Sequence, residues 1–184
     1  MPTLMLAERL GIKPRSEWSD AVIIGGNMVR WYGGFDSYIV AQEFDMPIVA
    51  PSMGRKIDRE DEMDINHLPY MTWVDWMNNL SQYHVGVHLM PTHAAGTFAL
   101  NCAFHGIPCI GYGGLDTQEE LHPQLTVGDG DLHSAKLSAN SLSNNYDFYR
   151  ECSLEARNNY VKSMYNEKNF VPYITNILEE LNNG

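Results

Sequence analysis

The chain has 184 residues, 12 Lys+Arg against 23 Asp+Glu, a formal net charge of −11 and 44% hydrophobic residues. That is the size of one domain able to bury a substantial core. The acidic balance excludes the basic footprint of a general nucleic-acid binder or of a polybasic membrane-surface protein.

No apolar run approaches the roughly 20 residues of a membrane span. The first residues lack the basic start and long apolar centre of a secretory leader. The three cysteines, Cys102, Cys109 and Cys152, are scattered and contain no CxxC pair. They suggest neither a zinc site nor a disulfide framework, and the expected setting is reducing and cytoplasmic.

Residues 1–20 read as an N-terminal segment or linker, and residues 21–184 as one domain. Within it, short apolar runs alternate with helical patterns. The runs lie at 21–26, 46–50, 65–70, 85–90, 108–112 and 125–127. Their near-continuous apolarity suits parallel strands covered on both faces. Thr72 and Asp75 have the spacing of a capping box ahead of Trp73, Trp76, Met77, Leu80 and Tyr83. A second helix is expected from about Gly96 to Gly106, with Gly106 as the residue that ends it. A third is expected over 131–143, on the stripe Leu132, Ala135, Ala139 and Leu142. Two more should fill the C-terminal end. One would bury Leu154, Val161 and Met164 or Tyr165; the other Val171, Ile174, Ile177 or Leu178, and Leu181, with Pro172 in its first turn. The acidic stretch 58–64 reads as a solvated loop. Strands alternating with helices give an α/β domain with a mainly parallel, six-stranded, Rossmann-like sheet.

The chemistry concentrates in PTHAAGTFALNCAFHGIPCIGYGGLDTQ, residues 91–118. This stretch leaves the carboxyl end of a strand, where open α/β sheets bind ligands. It turns through Ala94-Ala95-Gly96 and enters a helix whose free N–H groups suit an anion such as phosphate. His93, Thr97 and Asn101 are spaced by four, so a helix extended back to His93 would place them on one face. Asp116 and Gln118 follow the next strand and would reach the same sheet edge, where acceptors and an amide suit sugar hydroxyls. Each group also has an ordinary reading. His93 can be a boundary histidine, Asn101 an interhelical amide, and Asp116 a helix cap in the box Asp116-Thr-Gln-Glu119.

The stretch resembles the nucleotide-sugar-binding half of the GT-B glycosyltransferases. The family 1 signature runs roughly T-H-x-G-x-x-S-x-x-E-x-x-x-x-G-x-P, followed about a dozen residues after that last glycine by an acidic residue and a glutamine. Thr92-His93 stand at its start, and Gly106-Ile107-Pro108 fall thirteen residues after the histidine. Asp116 and Gln118 stand near the acidic–glutamine pair, with one residue between them. The family's ribose glutamate is Asn101 here. The two glutamates of the family 4 pattern are His93 and Asn101. The Arg/Lys pair of many relatives has Arg30 as its nearest candidate, with Arg55 and Lys56 behind it.

The resemblance implies that His93 and the amides of Gly96 and Thr97 hold the donor diphosphate, that Asn101 faces the ribose, and that Asp116 and Gln118 face the transferred sugar. It implies that Leu68–Met71 lies against the base. It also implies a metal-independent hexosyl transfer, with a nucleotide-diphosphate sugar as donor substrate and no cofactor. The seven histidines are dispersed along the chain, and no metal site is expected. Complete enzymes of this architecture have two Rossmann-like domains, so the expected partner is an acceptor domain in trans or a second copy of the chain. A non-catalytic interaction or scaffold module is the alternative.

Overall fold

The computed structural model describes residues 3–17, 20–51, 54, 56–92 and 96–183. Six parallel strands form one sheet: β1 (Val22–Ile24), β2 (Ile48–Pro51), β3 (Asn66–Leu68), β4 (Val85–His88), β5 (Cys109–Tyr112) and β6 (Thr126–Val127). Their order is β3-β2-β1-β4-β5-β6. The chain therefore winds outward from β1 in one direction and from β4 in the other. β1 and β4 are neighbours, with Val22 beside Val85 and Ile24 beside Val87. Between such strands the connections leave in opposite directions and open a crevice at the carboxyl edge. The four inner strands are almost wholly buried, whereas β3 and β6, at the edges, are not.

Alternation along the strands sends side chains to two cores. Ile23, Val49 and Cys109 meet Met77, Leu80, Leu100, Phe104 and Tyr160 on one face. Val22, Ile24, Ile48, Val85, Val87 and Ile110 meet Val40, Phe44, Ala135 and Leu142 on the other. Each large apolar side chain so buried contributes roughly 1.5–3 kcal/mol. Glycines bring the first face close to its helices. A Cβ on Gly86 would lie 2.9 Å from Cys102 Sγ, and one on Gly111 2.5 Å from Gln118 Oε1.

Seven helices connect and flank the strands among the described residues: α1 (Gly34–Ala41), α2 (Trp73–Leu80), α3 (Thr97–His105), α4 (Asp116–Leu121), α5 (Leu132–Asn144), α6 (Tyr146–Lys162) and α7 (Glu167–Asn183). Thr72 caps α2 by accepting from the Asp75 N–H, as its spacing predicts. Gly106 closes α3 at φ 69°, a left-handed conformation that glycine adopts without strain. Helix α3 is buried from Phe98 to His105, which explains its apolar composition.

Four expectations are corrected. Helix α1 was not expected, although Ser37, Val40, Ala41 and Phe44, all buried, recur at helical spacing. In α6 the buried stripe is Tyr149, Cys152, Ala156 and Tyr160. Leu154 and Val161 are exposed, because the sheet-side face of α6 is chosen by aromatic and small residues that fit against α3. In α7, Val171, Leu178 and Leu181 are also exposed, whereas Ile174 and Ile177 are half-buried. Pro172 lies inside that helix rather than in its first turn, so the Lys168 carbonyl lacks its usual helical donor. Finally, the acidic stretch contains one buried carboxylate. Glu60 accepts from the Ile57 N–H at 2.8 Å and lies 3.2 Å from His67 Nε2, tying the connection between β2 and β3 to the edge strand.

The N-terminal segment packs on the domain. Met5, Ala7 and Ile12 join the first core, and the Met5 N–H donates to the Tyr165 carbonyl at 2.9 Å. Arg15 reaches the amino end of the sheet, donating to the Gly106 carbonyl at 2.6 Å and to Ser153 Oγ at 3.1 Å.

Candidate functional site

A cavity of about 530 Å3 opens at the carboxyl edge of β1, β2 and β4. Gly26 follows β1, Pro51 ends β2, His88 ends β4 and Thr97 begins α3; all four line it. Its other walls are Tyr32, the Pro69–Met71 loop beyond β3, the α2 residues Trp73 and Trp76, and the N-terminal Thr3–Met5. The cavity thus occupies the crevice that the strand order creates.

The chain reaches this geometry by close packing of small residues. After β1, Gly25 and Gly26 leave room for Phe98 and Tyr32. A Cβ on Gly25 would lie 2.6 Å from His88 Cγ and 2.7 Å from the Phe98 ring. A 3-10 turn, Arg30–Tyr32, then folds over the end of β4, where Thr92 Oγ1 donates to the Trp31 carbonyl at 3.0 Å. Gly33 and Gly34 let α1 start against the strand. A Cβ on Gly33 would lie 1.6 Å from the Leu89 carbonyl oxygen.

Gly96 stands at the N-cap of α3 and has no side chain with which to cap it. The N–H groups of the first turn have no partner within the helix, and the positive end of its dipole faces the cavity. Thr97 is exposed there. Asn101, one turn on, is buried and lines the cavity from inside. Its amide is oriented to donate to the Thr97 carbonyl and to accept from Trp76 Nε1, both at 3.2 Å. The side chain thus joins α2 to α3 and keeps one edge on the cavity.

His88 is 7% exposed, and its ring meets the Phe98 ring edge-on at 5.3 Å between centroids. Burial pushes the imidazole down to about 4, so it is neutral at pH 7. Its Nε2 has no hydrogen-bond partner among the described residues. The sequence reading missed His88. The available signal was a polar residue inside the apolar run VGVHLM. It missed Trp76 as a wall of the site too, because that residue was assigned only to a helix stripe.

The remaining expected groups lie elsewhere or are engaged differently. His93 and Arg55 fall outside the described residues, as do Ala94 and Ala95. Arg30 is exposed on the 3-10 turn and is not among the residues lining the cavity. Lys56 pairs with Asp61 at 2.7 Å. Asp116 is exposed in the first turn of α4, where Oδ1 accepts from the Thr117 N–H at 2.8 Å. It does not cap α4. Leu115 is the N-cap residue, and Glu119 reaches back to the Gly114 N–H at 2.7 Å. Burial raises the Tyr165 hydroxyl above its ordinary value, and Asp116 and Glu120 beside it raise it further. Gln118 is 1% exposed beneath β5, donating to the Cys109 carbonyl at 2.9 Å. The structure therefore brings Thr97 and Asn101 together with His88 on one cavity, and places Asp116 and Gln118 in the next connection.

Among the described residues, no three His, Cys, Asp or Glu side chains cluster as metal ligands. No described helix is long and apolar enough to cross a membrane.

No protein-family model and no curated protein matches the chain. Solved structures match its fold. WaaG, a glycosyltransferase involved in lipopolysaccharide biosynthesis, superposes with a TM-score of 0.70 at 10% identity, over 90% of this chain and 52% of that one. Sucrose-phosphate synthase from Thermosynechococcus elongatus gives 0.68 at 14% identity, over 98% and 49%. HepE from Anabaena, solved with UDP and glucose and also with UDP-glucose, gives 0.68 at 11% identity, over 95% and 51%. The fold is that of one half of a GT-B glycosyltransferase, and the chain spans about half the length of these proteins.

Proposed function

We propose that this chain binds a nucleotide-diphosphate sugar in the cavity between β1 and β4 and acts as the donor-binding half of a glycosyltransferase. One observation carries the reading: the N-terminus of α3, whose N-cap residue Gly96 supplies no capping side chain, opens with Thr97 on its first turn into a cavity at the sheet's switch point. That combination of free amides, helix dipole and close backbone approach recognises phosphate. The aromatic walls Tyr32, Tyr70 and Trp73 offer flat surfaces to a base or sugar. HepE, which shares the fold, was solved with UDP-glucose.

In the proposed reaction an acceptor oxygen attacks the anomeric carbon while the bond from that carbon to the diphosphate oxygen breaks. The α3 amides, Thr97 and His93 stabilise the negative charge that develops on the leaving diphosphate, an electrostatic role that needs no metal. Acceptor and general base come from a second domain or a second copy. A cleft open on one side does not exclude water from the reacting sugar. The chain by itself is therefore expected to bind the donor without transferring it. The exposed apolar residues of α7, Tyr173 and Leu181 among them, favour a second reading as an interaction module.

A thermal-shift screen of UDP, GDP, ADP, CMP and their sugars separates the two. Binding at a hundred times the dissociation constant should stabilise the fold by about 2.7 kcal/mol. No shift with any of them at millimolar concentration would overturn the donor-binding reading and favour the interaction module.

A further inference from the structure

We infer that His88 is a ligand-contacting residue of this cavity, its imidazole hydrogen-bonding a phosphoryl oxygen of the bound nucleoside diphosphate. The inference rests on the donor-binding reading above and names a residue that the glycosyltransferase resemblance does not supply.

The position is unusual for a histidine. β4 is an inner strand whose other residues, Val85, Gly86 and Val87, are apolar and buried. His88 ends that strand and is 93% removed from solvent, yet it forms part of the cavity wall. Among the described residues, none hydrogen-bonds its Nε2. A buried polar nitrogen without a partner costs about 1–3 kcal/mol, and an apolar side chain of similar shape would remove that cost. A purely structural role leaves that cost unmet, whereas a ligand hydrogen-bonded to the ring in the cavity would offset it.

The neighbours identify the ligand atom. One step beyond the pairing of Ile24 with Val87, His88 lies against Gly25, where no side chain intervenes. Phe98, of the first turn of α3, packs on its ring. Gly26, Thr97 and His88 thus line one cavity, into which a phosphate on the α3 amides would fit. A neutral imidazole there offers an N–H donor without placing a fixed charge in the sheet.

The test measures affinity for the nucleoside diphosphate that binds best in the screen, and for inorganic pyrophosphate, in the wild type, His88→Phe and His88→Gln. His88→Phe should lose about ten- to a hundredfold in affinity for both probes while its unliganded melting temperature stays equal or rises. His88→Gln should recover part of the affinity. If His88→Phe fails to fold, His88→Leu takes its place. Undiminished nucleotide affinity in the apolar variant would overturn the role of His88 and leave the donor-binding reading intact. A loss seen with the nucleotide but not with pyrophosphate would overturn the phosphoryl assignment. A wild type that binds neither probe would overturn both.

Discussion

Thr117 Oγ1 donates to the Gly96 carbonyl at 2.6 Å, joining the first turn of α4 to the N-cap of α3. The same pair fixes the size of residue 96, since a Cβ there would lie 2.1 Å from Thr117 Oγ1. The N-terminal end of α3 is thus held from below by the next connection. This contact sets where the helix starts, and so where its free amides point.

Gly96→Ala should therefore destabilise the protein by about 1–3 kcal/mol through overpacking, although residue 96 has an ordinary negative φ. In the Gly96→Ala background Thr117→Ala should cost less than it does alone, because it removes the clashing oxygen. A double-mutant cycle by urea unfolding checks this. Additive costs would show that the two residues do not meet.

Thr97→Val should separate binding from stability. The side chain is exposed on the first turn and lines the cavity, so the unliganded melting temperature should hardly move. Loss of one charge-assisted hydrogen bond should weaken nucleotide binding by about 1.5–3 kcal/mol. Calorimetric titration beside a thermal melt reads both.

Asn101→Leu should act in the opposite proportion. It removes the acceptor of Trp76 Nε1 and the donor to the Thr97 carbonyl, at a cost of about 1–3 kcal/mol in stability. Its first signature should be a lower melting temperature without ligand. A variant as stable as the wild type, with binding lost, would instead give Asn101 a direct ligand role.

Acid should destabilise the fold through three histidines. Burial pushes His88, His105 and His122 down to about 4 each, from an ordinary value of 6.5. The unfolded chain then takes up protons that the native state refuses. Their contribution is fully present above about pH 6.5 and is lost as pH falls toward 4. Each histidine adds up to about 1.4 kcal/mol per pH unit within that window. Urea midpoints measured between pH 7 and 5 should fall, and His105→Phe should flatten the slope. An unchanged slope in that variant would mean that His105 is protonated in the native state.

The sequence by itself determined the sheet. Runs such as 21–26 and 85–90 are too short and too continuously apolar for anything but strands covered on both faces, and the helix signals at Thr72 and Gly106 are local chemistry that tertiary context did not override. Helix α1 was legible too, in the spacing of Ser37, Val40, Ala41 and Phe44, but lay hidden behind the Gly33-Gly34 pair. Tertiary structure alone decided which polar residues meet. Spacing could place Thr97 and Asn101 one turn apart. It could not show that Gln118 would spend its amide on the Cys109 carbonyl, that Trp76 would cross to Asn101, or that Glu60 would be buried against His67. These outcomes depend on the approach of helices to sheet, which Gly25, Gly86 and Gly111 set by having no side chain. His88 is the clearest case. In the sequence it is one polar letter in an apolar run, and only the strand order, which puts β4 beside β1, turns the end of that run into the wall of a cavity.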